Sequence, residues 1–109
     1  MLVAIIEYAL RSGVEAEFQA ALAEMLAKVR EIDGFLGEEP CRSVTDETRR
    51  VTISYWRDAA ALEAWRKHPD HQRVMLLGRK KLLAWYRIRV ARIERDYGVP
   101  PAPSSPSAS

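Results

Sequence analysis

Residues 1–10, MLVAIIEYAL, set the hardest condition on the fold. Read as a strand, they put Leu2, Ala4, Ile6, Tyr8 and Leu10 on one face and Val3, Ile5, Glu7 and Ala9 on the other, so both faces are largely apolar. Such a strand has to be covered on both sides. At 109 residues the chain can build one domain with one core. Its own helices can cover one side of the strand, and something else is expected on the second.

The residues that follow supply the helices. Ser12-Gly13-Val14-Glu15 has the form of a capping box, and Val14, Phe18, Leu22, Met25, Val29 and Ile32 recur at steps of three and four, with Gly34 as a stop. A second strand is expected through about Val44, a polar turn at Asp46-Glu47-Thr48, and a third strand over residues 51–56, the two strands forming a hairpin. Asp58 is placed to cap a helix with Leu62 and Trp65 on one face, and Pro69 ends it. A second helical piece from about Asp70 turns Val74 and Leu77 to the core and stops at Gly78. Residues 82–93 read as the last strand, with Tyr86, Ile88 and Val90 on one face and Trp85, Arg87, Arg89 and Ala91 on the other.

The order β-α-β-β-α-β is the split βαβ, ferredoxin-like arrangement of the α+β class: a four-stranded antiparallel sheet with helices on one face. It accounts for residues 1–97. The other sheet face carries enough apolar and aromatic side chains to form an interface, and a two-fold homodimer with facing sheets would cover it. Residues 98–109 are rich in Pro, Ser and Ala and are expected to be a disordered tail.

Several function classes fall away on composition. A single cysteine, Cys41, can make neither an internal disulfide nor a zinc cluster. No apolar run approaches the ~20 residues of a membrane helix, and residues 1–10 lack the basic region of a signal peptide, so a cytoplasmic protein with no membrane partner is expected. Residues 1–48 hold 10 acidic and 4 basic residues (−6), and residues 49–109 hold 13 basic and 5 acidic (+8). Either the halves neutralise each other or the basic half meets an anionic ligand. Nucleic acid is not expected, because the cations between Arg79 and Arg95 fall on both faces of a strand instead of forming one stripe.

Gly34-Phe35-Leu36-Gly37, Ser54-Tyr55-Trp56, Leu62-Glu63-Ala64-Trp65-Arg66, His68-Pro69 with His71, Gly78-Arg79 and Tyr86 together resemble the antibiotic biosynthesis monooxygenase family of dimeric α+β barrel proteins. The resemblance implies a homodimer whose sheets form a barrel, with a pocket in each protomer between sheet and helices. It also implies cofactor-independent oxygenation of aromatic phenols and quinols, or heme degradation. In the heme-degrading branch a Trp on the helix after the third strand accompanies an Asn and a heme-ligating His. Here Trp65 matches, while the Asn position falls on Tyr8 and the His position on Met75.

Candidate roles follow from residue chemistry. His71 can take a phenolic proton as neutral imidazole, or bond a backbone group at the helix start. Tyr8 can join it in proton relay or simply pack. Trp65 and Tyr86 can wall an aromatic substrate, and Arg79 and Arg87 can hold a phenolate or carboxylate, although all four residue types also serve as plain structure. No glycine-rich phosphate loop and no metal cluster is present, so the oxygenase expected here uses no cofactor, heme being the alternative. The leading expectation is a monooxygenase acting on a small aromatic molecule. The competing one is a dimeric domain that binds a small ligand or stabilises a partner without catalysis.

Overall fold

The first strand lies inside the sheet, hydrogen-bonded along both edges. In a computed structural model, which describes residues 1–100, β1 (Leu2–Leu10) lies between β3 (Arg49–Trp56) and β4 (Leu83–Arg92), antiparallel to both. β2 (Phe35–Arg42) pairs with β3 and completes the order β2-β3-β1-β4. The helices α1 (Glu15–Val29), α2 (Ala59–Arg66) and α3 (Pro69–Leu77) pack on one face. The fold is therefore the expected ferredoxin-like α+β arrangement. Part of the expected tail, residues 101–109, lies outside the described residues.

The core divides into two clusters. Leu2, Ala4 and Trp56 of the sheet meet Val29, Ala61 and Trp65 of the helices at one end. Ala21, Val74 and Leu82 form the second cluster, with Val14, Met25, Leu77 and Leu83 packed against it. Full burial of a side chain such as Leu82 contributes ~1.5–3 kcal/mol. Gly34 joins β2 to the first cluster at φ 91°, and a Cβ there would lie 2.6 Å from the Ala61 Cβ, so the close approach of β2 to α2 requires glycine.

On the opposite face Val3, Ile5, Val51 and Ile53 share a side with the exposed Tyr55 and Trp85. Within this face Glu7 is buried and ion-paired to both Arg49 and Arg89, and the Arg49 guanidinium lies 5.8 Å from the Trp85 ring centre. Glu15–Arg50, Glu24–Arg73 and Asp33–Arg57 are further pairs between an acid from residues 1–48 and a base beyond it. Acids of the first half thus pair with bases of the second within the chain, although each exposed pair adds only ~0–1 kcal/mol.

Three local expectations change. Ser12 does not cap α1: the helix starts after Val14 without a side-chain cap, and Glu15 is bonded instead to Arg50 and Gln19. A charge-assisted pair of bonds to a guanidinium outweighs one backbone amide. The helix also ends at Val29, about a turn before Gly34, because the chain passes into successive turns in which Ile32 N–H bonds Val29 C=O and Phe35 N–H bonds Ile32 C=O. Gly78 is not a stop either. It keeps helical dihedrals (φ −57°, ψ −51°) and opens a single π-helical turn, Gly78–Leu82, that carries the chain into β4.

Candidate active site

Alternation along β1 sends Ile6 and Tyr8 toward the helices, and the register brings Thr52 and Ile88 beside Ile6, and Arg50 and Tyr86 beside Tyr8. Facing them across a gap are Phe18, Leu22 and Met25 of α1 and Val74 and Met75 of α3. The gap is a cavity of about 100 Å³, partly open to solvent and walled mostly by carbon. For scale, an apolar cavity of about 150 Å³ holds benzene, so a single ring is the right size class.

Few polar groups enter this space. The Tyr8 hydroxyl lies 3.5 Å from Thr52 Oγ1, and its ring sits 5.5 Å from Phe18. Tyr86 closes the β4 side, 38% exposed. Arg50, beside Tyr8 in register, is held by both carboxylate oxygens of Glu15 and lies 5.4 Å from the Phe18 ring centre. That hydrogen bonding keeps the Glu15 carboxyl down at about 2. The remaining polar group is Glu38. Burial pushes its carboxyl pKa up, opposed by the charge of Arg30, and it has no hydrogen-bond partner among the described residues.

Glu38 reaches the cavity through a bulge. Phe35 pairs with Trp56, but Gly37 pairs with Tyr55, so Leu36 is an extra residue in β2. The shift puts Glu38 opposite Ser54, on the helix side, and Glu39 opposite Ile53, on the other. Without the bulge the alternation would send Glu39 inward.

The structure brings together only part of the set expected from sequence. Tyr8 and Tyr86 line the cavity. Trp65 is 6% exposed and belongs to the Leu2–Trp56 core cluster, where its ring centre lies 4.9 Å from His71 and 5.6 Å from His68. Neither it nor His71 is among the lining residues. His71 donates its Nδ1–H to the Arg66 carbonyl at 3.4 Å, and burial holds its pKa below the usual histidine range. His68 accepts from the Asp70 amide at 3.1 Å as the cap of α3. Arg79 is exposed on the π turn whose Gly78 and Leu82 line the cavity, and its carbonyl accepts from Arg11 at 3.4 Å. Arg87 pairs with Glu7 in register and so points away from the helix side. Sequence reading missed Glu38, Thr52 and Met75 as lining residues.

The antibiotic biosynthesis monooxygenase family model matches residues 1–75. The chain belongs to this family. YqjZ, an uncharacterised protein of Bacillus subtilis strain 168, is 30% identical over 93 residues, spanning 85% of this chain and 80% of YqjZ. Among solved structures, PA3566 of Pseudomonas aeruginosa is 25% identical with a TM-score of 0.71, over 84% of this chain and 93% of that one. SnoaB, described as a cofactor-independent oxygenase from Streptomyces nogalater, shares the fold with a TM-score of 0.74 at 18% identity, over 87% and 94% of the two chains.

For this family member the heme alternative meets a poor donor set. Tyr8 and Met75, which stand at the Asn and His positions of the heme-degrading branch, both line the cavity, and no histidine does. A space of about 100 Å³ is also far smaller than a porphyrin. The lining residues do not fit heme.

Proposed function

We propose that the protein is a cofactor-independent monooxygenase of single-ring phenols, which bind in the cavity between the sheet and α1 and α3. The observation that carries this reading is an apolar cavity of one-ring size into which only a few polar groups, chiefly Tyr8, Thr52 and Glu38, project. Such a pocket takes the face of an aromatic ring on carbon and its hydroxyl on a polar group. Family membership and the fold shared with SnoaB support oxygen chemistry as the reaction class.

The reaction balances without an external reductant. A phenol gives up its hydroxyl proton, and the phenolate passes one electron to O₂. The resulting radical pair then combines at a ring carbon to form a peroxide. Loss of water leaves a quinone, with one oxygen atom in the ring product and one in water. The apolar wall favours this sequence by holding the ring against carbon and limiting its contact with water. A second copy of the chain packed on the Val3–Ile5–Tyr55 face would provide the second cover that β1 needs, and we place the working unit as a homodimer.

Resorcinol is a suitable probe, since its oxygenation gives hydroxybenzoquinone and water. Protein treated with a metal chelator is expected to consume oxygen with saturation in resorcinol, and ¹⁸O₂ should leave one labelled atom in the quinone. Met75→Trp, which fills the cavity, should abolish uptake. A rate equal to the protein-free rate, or equal in Met75→Trp, overturns the reading.

A further inference from the structure

We infer that Glu38 selects the ligand: its carboxylate accepts the hydroxyl proton of a single-ring phenol held in the cavity. This assignment rests on the proposed function and names the residue that starts it.

The geometry leaves few other candidates. Among the titratable groups of the described residues, only Tyr8, Tyr86 and Glu38 line the cavity. Tyr8 has its hydroxyl at Thr52, and a phenol is a poor acceptor for another phenol's proton. Glu38 is a carboxylate with lone pairs to offer and no partner among the described residues, placed among carbon by the Leu36 bulge. A fold gains nothing from a half-buried, unpartnered carboxyl, which costs free energy wherever it is charged. A ligand hydroxyl removes that cost by supplying the missing donor.

The surroundings of Glu38 set how it titrates. Arg30, just past the end of α1, favours the charged form, and burial opposes it. From the sheet, Tyr8 of β1 and Tyr86 of β4 share its cavity, and β3 contributes the uncharged Thr52. From α3 come the uncharged Val74 and Met75. The Arg50 guanidinium is already taken by Glu15. Burial raises the pKa of the Glu38 carboxyl above its ordinary value, which makes the carboxylate a better proton acceptor.

The test compares resorcinol with its dimethyl ether, 1,3-dimethoxybenzene, which has the same ring and no hydroxyl proton. Binding is followed by calorimetry on the full chain, and turnover by oxygen uptake. Wild type is expected to bind resorcinol about tenfold more tightly than the ether, the worth of one hydrogen bond to a charged group. Glu38→Gln keeps a hydrogen-bond acceptor of the same shape but cannot hold the proton, so resorcinol should still bind within about threefold while turnover falls by about 100-fold or more. Glu38→Leu should lose the preference for resorcinol and still bind the ether, which also shows that it folds. Equal affinity of wild type for the two compounds overturns the role of Glu38, as does full turnover by Glu38→Gln. If wild type prefers resorcinol but consumes no oxygen, the oxygenase reading fails and the recognition role of Glu38 stands. If wild type binds neither compound, the cavity is not a single-ring site and both fall.

Discussion

The Trp65 cluster and the Glu38 cavity lie against the same helical layer and end in opposite states. Around Trp65, both histidines are committed to the fold: His68 caps α3 and His71 bonds the Arg66 carbonyl, and both pack against the indole. Around Glu38 the wall is mostly carbon and the carboxyl has no partner among the described residues. Residue type alone would rank them the other way, since histidine and tryptophan suggest chemistry more readily than a glutamate in a Glu-Glu pair. The difference lies in which polar atoms the fold has already used. A group can act on a ligand only with the donors and acceptors that secondary structure leaves free.

The contrast predicts where substitutions damage the fold and where they damage function. Trp65→Ala should produce the largest effect on stability, about 3–5 kcal/mol by denaturant unfolding, because it empties the centre of a packed cluster. In whatever fraction remains folded, affinity for resorcinol should change little. A stable Trp65→Ala protein that has lost its ligand would make the indole part of the pocket and erase the distinction between the two regions.

Much of this division was legible in the sequence, and the parts that were not have physical reasons. The two apolar faces of residues 1–10 called for a strand covered on both sides, and the periods of 3.6 and 2 marked the helices and strands in the order the fold shows. Asp58 and Pro69 marked their helix boundaries because capping and the missing proline N–H act locally. Glu38 was hidden because its direction depends on one extra residue at Leu36, and a bulge reverses every side chain beyond it. Gly37 was the available signal, since a glycine early in a strand often marks a bulge. For His71 and Trp65 the sequence offered both a structural and a chemical role and could not choose, for another reason. Whether an imidazole is spent on a carbonyl five residues back is decided by how α2 meets α3, a tertiary fact that spacing does not contain.

Glu38→Leu should produce a smaller effect on stability, and of opposite sign. Burial raises the folded pKa of Glu38 above its unfolded value, so the folded state binds the proton more tightly. The stability this group contributes is present below the unfolded pKa, the ordinary glutamate value of 4.5, and is lost as pH rises through the folded pKa. Above the folded pKa wild type therefore carries the cost of a charged, half-buried carboxyl that Glu38→Leu does not. Thermal unfolding should show the variant melting a few degrees higher at pH 7, with the gain shrinking toward pH 4. A variant that melts lower at pH 7 would mean that Glu38 has a structural partner, and the cavity would then resemble the Trp65 cluster.

The smallest expected effect belongs to His71, whose pKa shifts the other way. Burial disfavours its charged form, so the folded state gives up the proton more readily than the unfolded chain does at its ordinary value of 6.5. Stability from this group is intact above that pH and is lost as pH falls from about 6.5 through the lower folded pKa. His71→Phe keeps a ring against Trp65 but removes the titration. Its melting temperature should fall less steeply than that of wild type between pH 7 and pH 5. Resorcinol turnover at pH 7 should stay within about threefold, because a residue outside the cavity removes no interaction made in the transition state. A loss approaching the 100-fold expected for Glu38→Gln would transfer the proton-accepting role to His71, and the two regions would have to be joined by a movement of α3 that brings the imidazole to the ligand.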